Sequence, residues 1–177
     1  ALIAGGLSVL EVTLRTPVAL AAITAMATVP GATVGAGTLI TPSDVAAAKA
    51  AGAKFGVSPG ATPALLDACE AAHLPLLPGA ASITEVMTLL ARGYSVQKFF
   101  PAEANGGVAA LRAISGPLPQ VQFCPTGGVN TDNAPQYLAL DNVICVGGSW
   151  VAPNALLARG DWQGITALAR AASSLKR

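Results

Sequence analysis

The chain has 177 residues, enough for one domain with a substantial core. Apolar residues make up 53% and charged residues only 11%, against about 25% in an average soluble chain; extensive disorder is excluded, and part of the surface is expected to be covered by other subunits. A net charge of +1 with scattered Lys and Arg argues against nucleic acid, and neither an apolar run near ~18 residues nor a basic leader opens a route to the membrane, so a cytoplasmic protein is expected.

Taken in chain order, Ala1–Gly6 reads as the end of a helix closed by glycine. Short β-rich runs then recur at Ser8–Leu14, Thr33–Gly37, Lys54–Ser58, Pro75–Pro78, Ser95–Phe100, Val121–Pro125 and Asn142–Val146. Ala-rich helical patterns fill the gaps. Thr16-Pro17, Thr41-Pro42 and Thr62-Pro63 each put an N-cap before a proline at the first helical position. Ser82 and Glu85 read as a capping box, and Gly52 and Gly93 as helix stops.

Strand and helix alternating at this spacing mean right-handed βαβ units and a parallel sheet. No linker divides the chain, so residues 1–177 are read as one domain. The expected architecture is a (β/α)8 TIM barrel with seven of its eight strands present and the domain truncated at its N-terminus. A doubly wound open sheet is the rival, but it predicts a single Gly-rich crevice. Here special residues follow nearly every strand.

In such folds the chemistry sits at the carboxyl ends of strands. At the first end, period two puts Glu11, Thr13 and Arg15 on one face and Leu10, Val12 and Leu14 on the other. The polar face is expected to point into the barrel, as an internal ion pair or as a functional one. The second end is Val34-Gly35-Ala36-Gly37-Thr38, where glycines allow close approach and Thr38 offers a hydroxyl. Ser58-Pro59-Gly60 and Pro78-Gly79 follow as turns and site walls.

The fifth end, Ser95–Pro101, carries Lys98. Of the four lysines, Lys49 lies on a helix, Lys54 enters a strand, and Lys176 is in the tail. Only Lys98 sits late in a strand among apolar neighbours. Burial disfavours an ammonium and favours the free amine, which is the nucleophile of Schiff-base chemistry. A lysine that snorkels or pairs with Glu11 is the structural alternative.

The last two ends are Pro125-Thr126-Gly127-Gly128 and Gly147-Gly148-Ser149-Trp150. Two Gly-Gly turns on consecutive strands, with a short helix expected to begin near Ser149, suit an anion. Barrel enzymes commonly bind phosphate there. Elsewhere, His73 reads as a surface residue at a helix end. Glu103 and Asn105 either shape their loop or bond nearby backbone, and Trp150 and Trp162 read as packing or subunit contacts. Cys69, Cys124 and Cys145 read as buried free thiols, and no His/Cys cluster suggests a metal.

The runs Leu10–Thr16, Gly35–Thr38, Ser58–Gly60, Lys98–Gly107, Phe123–Gly128 and Gly147–Trp150 together resemble the 2-keto-3-deoxy-6-phosphogluconate (KDPG) and 4-hydroxy-2-oxoglutarate (KHG) aldolase family, along the whole chain. The resemblance implies a class I aldolase of the Entner–Doudoroff route, homotrimeric and without metal or other cofactor beyond the covalent Schiff base. It implies Lys98 as the Schiff-base lysine and Glu11 as general acid/base. Arg15, Thr38 and Pro59 would hold the pyruvyl end, Phe100 would wall the pocket, and Thr126 would sit beside the keto acid. Gly127, Gly128, Gly147, Gly148 and Ser149 would take the phosphate. The family's first strand and helix would precede Ala1. The competing expectations are a phosphate-binding barrel isomerase or synthase, which would not need Lys98, and a non-catalytic assembly module.

Overall fold

A threonine or serine hydroxyl ahead of an Ala-rich run accepts from a first-turn amide and so starts a helix. In the computed structural model, which describes residues 1–175, three starts form this way; Lys176 lies outside the described residues. Thr41 caps α2 (Pro42–Ala50) in a reciprocal capping box with Asp44. Thr62 caps α3 (Pro63–Ala71), and Ser82 caps α4 (Ile83–Ala91) in a box with Glu85. Gly52 and Gly93 close α2 and α4 at φ 97° and 94°, the left-handed conformation glycine adopts cheaply. Helix α1 (Ala19–Ala27) differs. It starts two residues later than the Thr16-Pro17 signature predicts, because the Thr16 carbonyl closes a turn with the Ala19 amide.

The chain forms two compact units. The first, Val9–Phe100, holds a parallel sheet in the order β1 (Val9–Thr13), β2 (Thr33–Gly37), β3 (Phe55–Val57), β4 (Leu76–Leu77). Glu11 stands opposite Gly35 and Thr13 opposite Gly37. The fourth expected strand is broken. Pro78 has no N–H to give a ladder, so the strand resumes as β5 (Gly79–Ala80), parallel to β6 (Val96–Phe99). The core joins Ile23 of α1, Val45 and Ala48 of α2, and Leu65 and Cys69 of α3 to Val34 and Ala36 of β2. Burying each large aliphatic contributes roughly 1.5–3 kcal/mol. Val12 and Leu14 pack on this cluster, so the apolar face of β1 meets the helix layer as its period predicts.

The second unit comprises Ala1–Ser8 and Pro101 onward. It contains α5 (Gly107–Ser115), β7 (Gln122–Pro125), α6 (Ala134–Leu138), α7 (Asn154–Arg159) and α8 (Trp162–Ser173). Residues Ile3–Gly5 form a 3-10 turn that ends at Gly6 with φ 94°, in keeping with the expected helix end. Gly5 lies against Ala169 of α8, and Ser173 Oγ donates to its carbonyl at 2.9 Å.

The seventh expected strand, Asn142–Val146, meets β7 only at two bridges, Phe123 with Val143 and Thr126 with Gly147. Three steps along β7 face four along its neighbour. The amides show the same slip, with Ile144 bonding Phe123 and Gly147 bonding Pro125. One inserted residue makes a β-bulge, which interrupts the ladder and re-aims side chains. It also explains a second departure: Cys69 and Cys124 are buried, but Cys145, within the bulge, is exposed. A hydrogen bond with the Cys124 thiol holds the Cys145 thiol below its ordinary value.

Candidate active site

Lysine 98 is only 6% exposed. Its placement follows from strand parity. Gln97 Nε2 donates to the Val86 carbonyl of α4 at 3.1 Å, so Gln97 and Phe99 face the helix layer and Lys98 faces away from it. Lys98 Nζ stands 4.8 Å from the centroid of the Phe100 ring, which shields it on one side. Its strand neighbour is Gly79, and the Lys98 amide donates to the Pro78 carbonyl at 2.9 Å.

Gly79 also explains how Pro59 is held. A side chain at position 79 would overlap the Pro59 carbonyl, and the Gly79 amide donates to Ser58 Oγ at 3.4 Å. The Ser58-Pro59 turn therefore rests directly on the residue paired with Lys98.

On β1, Glu11 lies across Gly37 of the next strand, where a Cβ would overlap its carboxylate. Arg15 Nε donates to Thr13 Oγ1 at 3.2 Å, and the Glu11–Arg15 ion pair that strand spacing allows is not formed among the described residues. Both side chains are exposed, on the face opposite the core, so neither pays for burial. Thr38, immediately after β2, has φ 63°. For a β-branched residue this backbone costs on the order of 1–3 kcal/mol, and such strain gathers at functional sites.

In the second unit the predicted anion turns are built from backbone. Gly127 and Gly128 have φ 97° and 81°. Gly147 leaves room for Thr126, whose Oγ1 would lie 2.5 Å from a Cβ there, and the Gly147 amide is already committed to the Pro125 carbonyl at 2.9 Å. Gly148 leaves room for the half-buried Trp150 ring, a packing role for that residue, whereas Trp162 is largely exposed. Among the described residues, no protein acceptor takes the Gly128, Gly148 or Ser149 amides. The helix expected near Ser149 starts instead at Asn154, because Ser149 closes a turn with Ala152 and Pro153 fixes the cap.

His73 is exposed at φ 50° just past α3, as a helix-end residue. Glu103, which the sequence left open, bonds backbone through its amide to the Gly127 carbonyl at 3.1 Å, and its carboxylate accepts from Tyr137 Oη. Tyr137 escaped sequence reasoning, although it is one of only two tyrosines and lies on the helix after the first Gly-Gly turn. Among the described residues, no group of three or more His, Cys, Asp or Glu could hold a metal ion, and no helix is long and apolar enough to cross a membrane.

Comparison with known proteins bears on the chain as a whole. The family described as "Aldolase: KDPG and KHG aldolase" matches residues 1–168. The KHG/KDPG aldolase of Escherichia coli (strain K12) is 53% identical over 97% of this chain and 81% of its own length. The KDPG aldolase of Legionella pneumophila, solved with pyruvate captured as a covalent carbinolamine intermediate, superimposes with a TM-score of 0.95 at 52% identity, covering 98% of this chain and 84% of that one. The 2-keto-3-deoxy-6-phosphogluconate aldolase of Zymomonas mobilis ZM4, solved with 3-phosphoglycerate, gives 0.95 at 50% identity, covering 99% and 83%. The chain therefore belongs to the KDPG and KHG aldolase family, lyases built on the (β/α)8 barrel.

Proposed function

We propose that this chain cleaves 2-keto-3-deoxy-6-phosphogluconate to pyruvate and glyceraldehyde 3-phosphate through a Schiff base on Lys98, and 4-hydroxy-2-oxoglutarate to pyruvate and glyoxylate by the same route. The observation that carries the reading is Lys98 itself: a lysine 6% exposed, late in a strand, on the face away from the helices. The covalent pyruvate adduct of the Legionella pneumophila relative supports it.

The neutral amine of Lys98 attacks the C2 ketone, and loss of water leaves an iminium. Glu11 removes the C4 hydroxyl proton. The C3–C4 bonding pair then flows into the iminium, giving an enamine and releasing the aldehyde. Protonation at C3, by Glu11 through water, and hydrolysis of the imine return pyruvate and Lys98. Proton transfer by a placed carboxylate is typically worth ~10²–10⁴ in rate. Arg15 takes the substrate carboxylate in a charge-assisted fork, with Thr38 and Pro59 beside it and Phe100 as a wall. Thr126 lies beside the keto acid. Gly127, Gly128, Gly147, Gly148 and Ser149 take the phosphate, where remote binding energy orients the reacting carbon. Gly147 contributes room rather than a donor, since its amide is already engaged.

The chain acts as one barrel domain, as a homotrimer in the cytoplasm and without a metal; exposed Val18, Ile40 and Met87 are apolar surface that assembly would cover. The deciding experiment is borohydride treatment in the presence of pyruvate. The native chain is trapped and inactivated, whereas Lys98→Ala loses both trapping and cleavage. Trapping that persists in Lys98→Ala would move the nucleophile elsewhere.

A further inference from the structure

We propose that Glu103 is a positioning residue: it locks the Gly127-Gly128 turn, with Tyr137 as its anchor, in the shape that receives the substrate's phosphate. The proposal rests on the reading that this turn takes the phosphate.

Two glycines in sequence have wide conformational freedom, and a turn that must present amides to an anion is useful only if something selects one conformer. Here the selection is made from two sides. The loop after β6 is zipped to the turn, with the Ala102 amide donating to the Thr126 carbonyl at 2.8 Å and the Glu103 amide to the Gly127 carbonyl at 3.1 Å. The Glu103 side chain then lies over the α-carbon of Gly128; a Cβ there would come within 2.5 Å of its Cγ. From the other side, Asn133 Nδ2 donates to the Gly128 carbonyl at 3.1 Å.

Tyr137 fixes the far end of Glu103. Its ring is fully buried on α6, and its hydroxyl donates to Glu103 Oε1. Burial raises the Tyr137 phenol, and the bond to Glu103 raises it further, so the hydroxyl stays a donor across the neutral range. Gly107 completes the fit. A Cβ at that position would sit 3.1 Å from Tyr137 Oη and 3.2 Å from Glu103 Oε1, tighter than ordinary packing. Glycines at 107 and 128 thus clear space on two sides of one carboxylate–phenol pair. A carboxylate beside a turn meant for a dianion opposes it through space, so Glu103 is explained by what it holds rather than by what it would bind. A charge-assisted bond to a buried hydroxyl holds better than a neutral one.

The test uses the full chain, with KM and kcat measured separately for 2-keto-3-deoxy-6-phosphogluconate and for 4-hydroxy-2-oxoglutarate, which has no phosphate. Inhibition by inorganic phosphate and borohydride trapping with pyruvate are read alongside. Glu103→Ala is expected to raise KM for the phosphorylated substrate about tenfold, and to weaken phosphate inhibition alike, the loss of one good hydrogen bond's worth of organisation. The unphosphorylated substrate and pyruvate trapping should change less than about twofold, since neither uses the turn. Tyr137→Phe should reproduce the effect. Glu103→Gln keeps an oxygen acceptor for Tyr137 and should recover most of the affinity lost in the alanine variant; if the alanine variant fails to fold, Tyr137→Phe, which removes the donor and leaves Glu103 in place, decides the matter. Equal losses on both substrates, or none, would overturn the positioning role. A native chain that inorganic phosphate does not inhibit would overturn the underlying reading of the turn, and the proposal with it.

Discussion

The unit Val9–Phe100 presents its candidate chemistry through side chains, and the unit formed by Ala1–Ser8 and Pro101 onward presents it through backbone. In the first, glycines are spacers for functional groups: Gly37 clears room for the Glu11 carboxylate, and Gly79 admits the Pro59 carbonyl beside the strand partner of Lys98. In the second, the Gly128 and Gly148 amides are the candidate groups themselves, Glu103 and Trp150 fill the space beside them, and Gly147 alone is a spacer, for Thr126. The contrast matches two different chemical demands. Bond cleavage needs titratable atoms, which backbone cannot supply; a phosphate needs several fixed donors, which backbone supplies without side-chain entropy.

The two kinds of site should fail differently. Glu11→Gln should still allow pyruvate to be trapped but lower kcat about 10²–10³-fold on both substrates, because only proton transfer is lost. Turnover that hardly changes would remove Glu11 from the chemistry. A smaller effect, confined to one substrate, is expected in the backbone-built unit. Ser149→Ala, which removes a side-chain hydroxyl set among those backbone donors and keeps the amide, should raise KM for the phosphorylated substrate roughly five- to tenfold and spare 4-hydroxy-2-oxoglutarate, and equal effects would erase the proposed division of labour.

The smallest effect concerns the scaffold of the first unit. Backbone hydrogen bonds from Ala81 and Ser82 hold the Glu85 carboxylate below its ordinary value of 4.5. A depressed carboxylate contributes stability that is complete above about pH 4.5 and is lost as pH falls through the folded value. Ser82→Ala should cost about 1 kcal/mol at neutral pH, and Glu85→Gln should flatten the acid limb of a thermal-melting profile; an unchanged limb would exclude Glu85 as its source.

How far the sequence could be read depended on whether a feature is local. Strand β2 and the caps at Thr41, Thr62 and Ser82 follow from residues within one turn of each other, and all four form where their residues predict. Lys98 stood out because so few charges are present, and parity then gave its face. The bulge between Val143 and Gly147 was illegible, since it is a mismatch in count with a distant strand and no residue type announces it. The pairing of Glu103 with Tyr137 was illegible for the same reason: the partners are 34 residues apart. The Thr16-Pro17 signature misled because a Thr-Pro pair opens a turn as readily as a helix.

The most direct test of the central claim is to map the borohydride-reduced pyruvate adduct by mass spectrometry of proteolytic peptides from the native chain. The account predicts a single modified residue, Lys98, in the peptide spanning the end of β6. Modification at Lys49 or Lys54, with Lys98 intact, would contradict it.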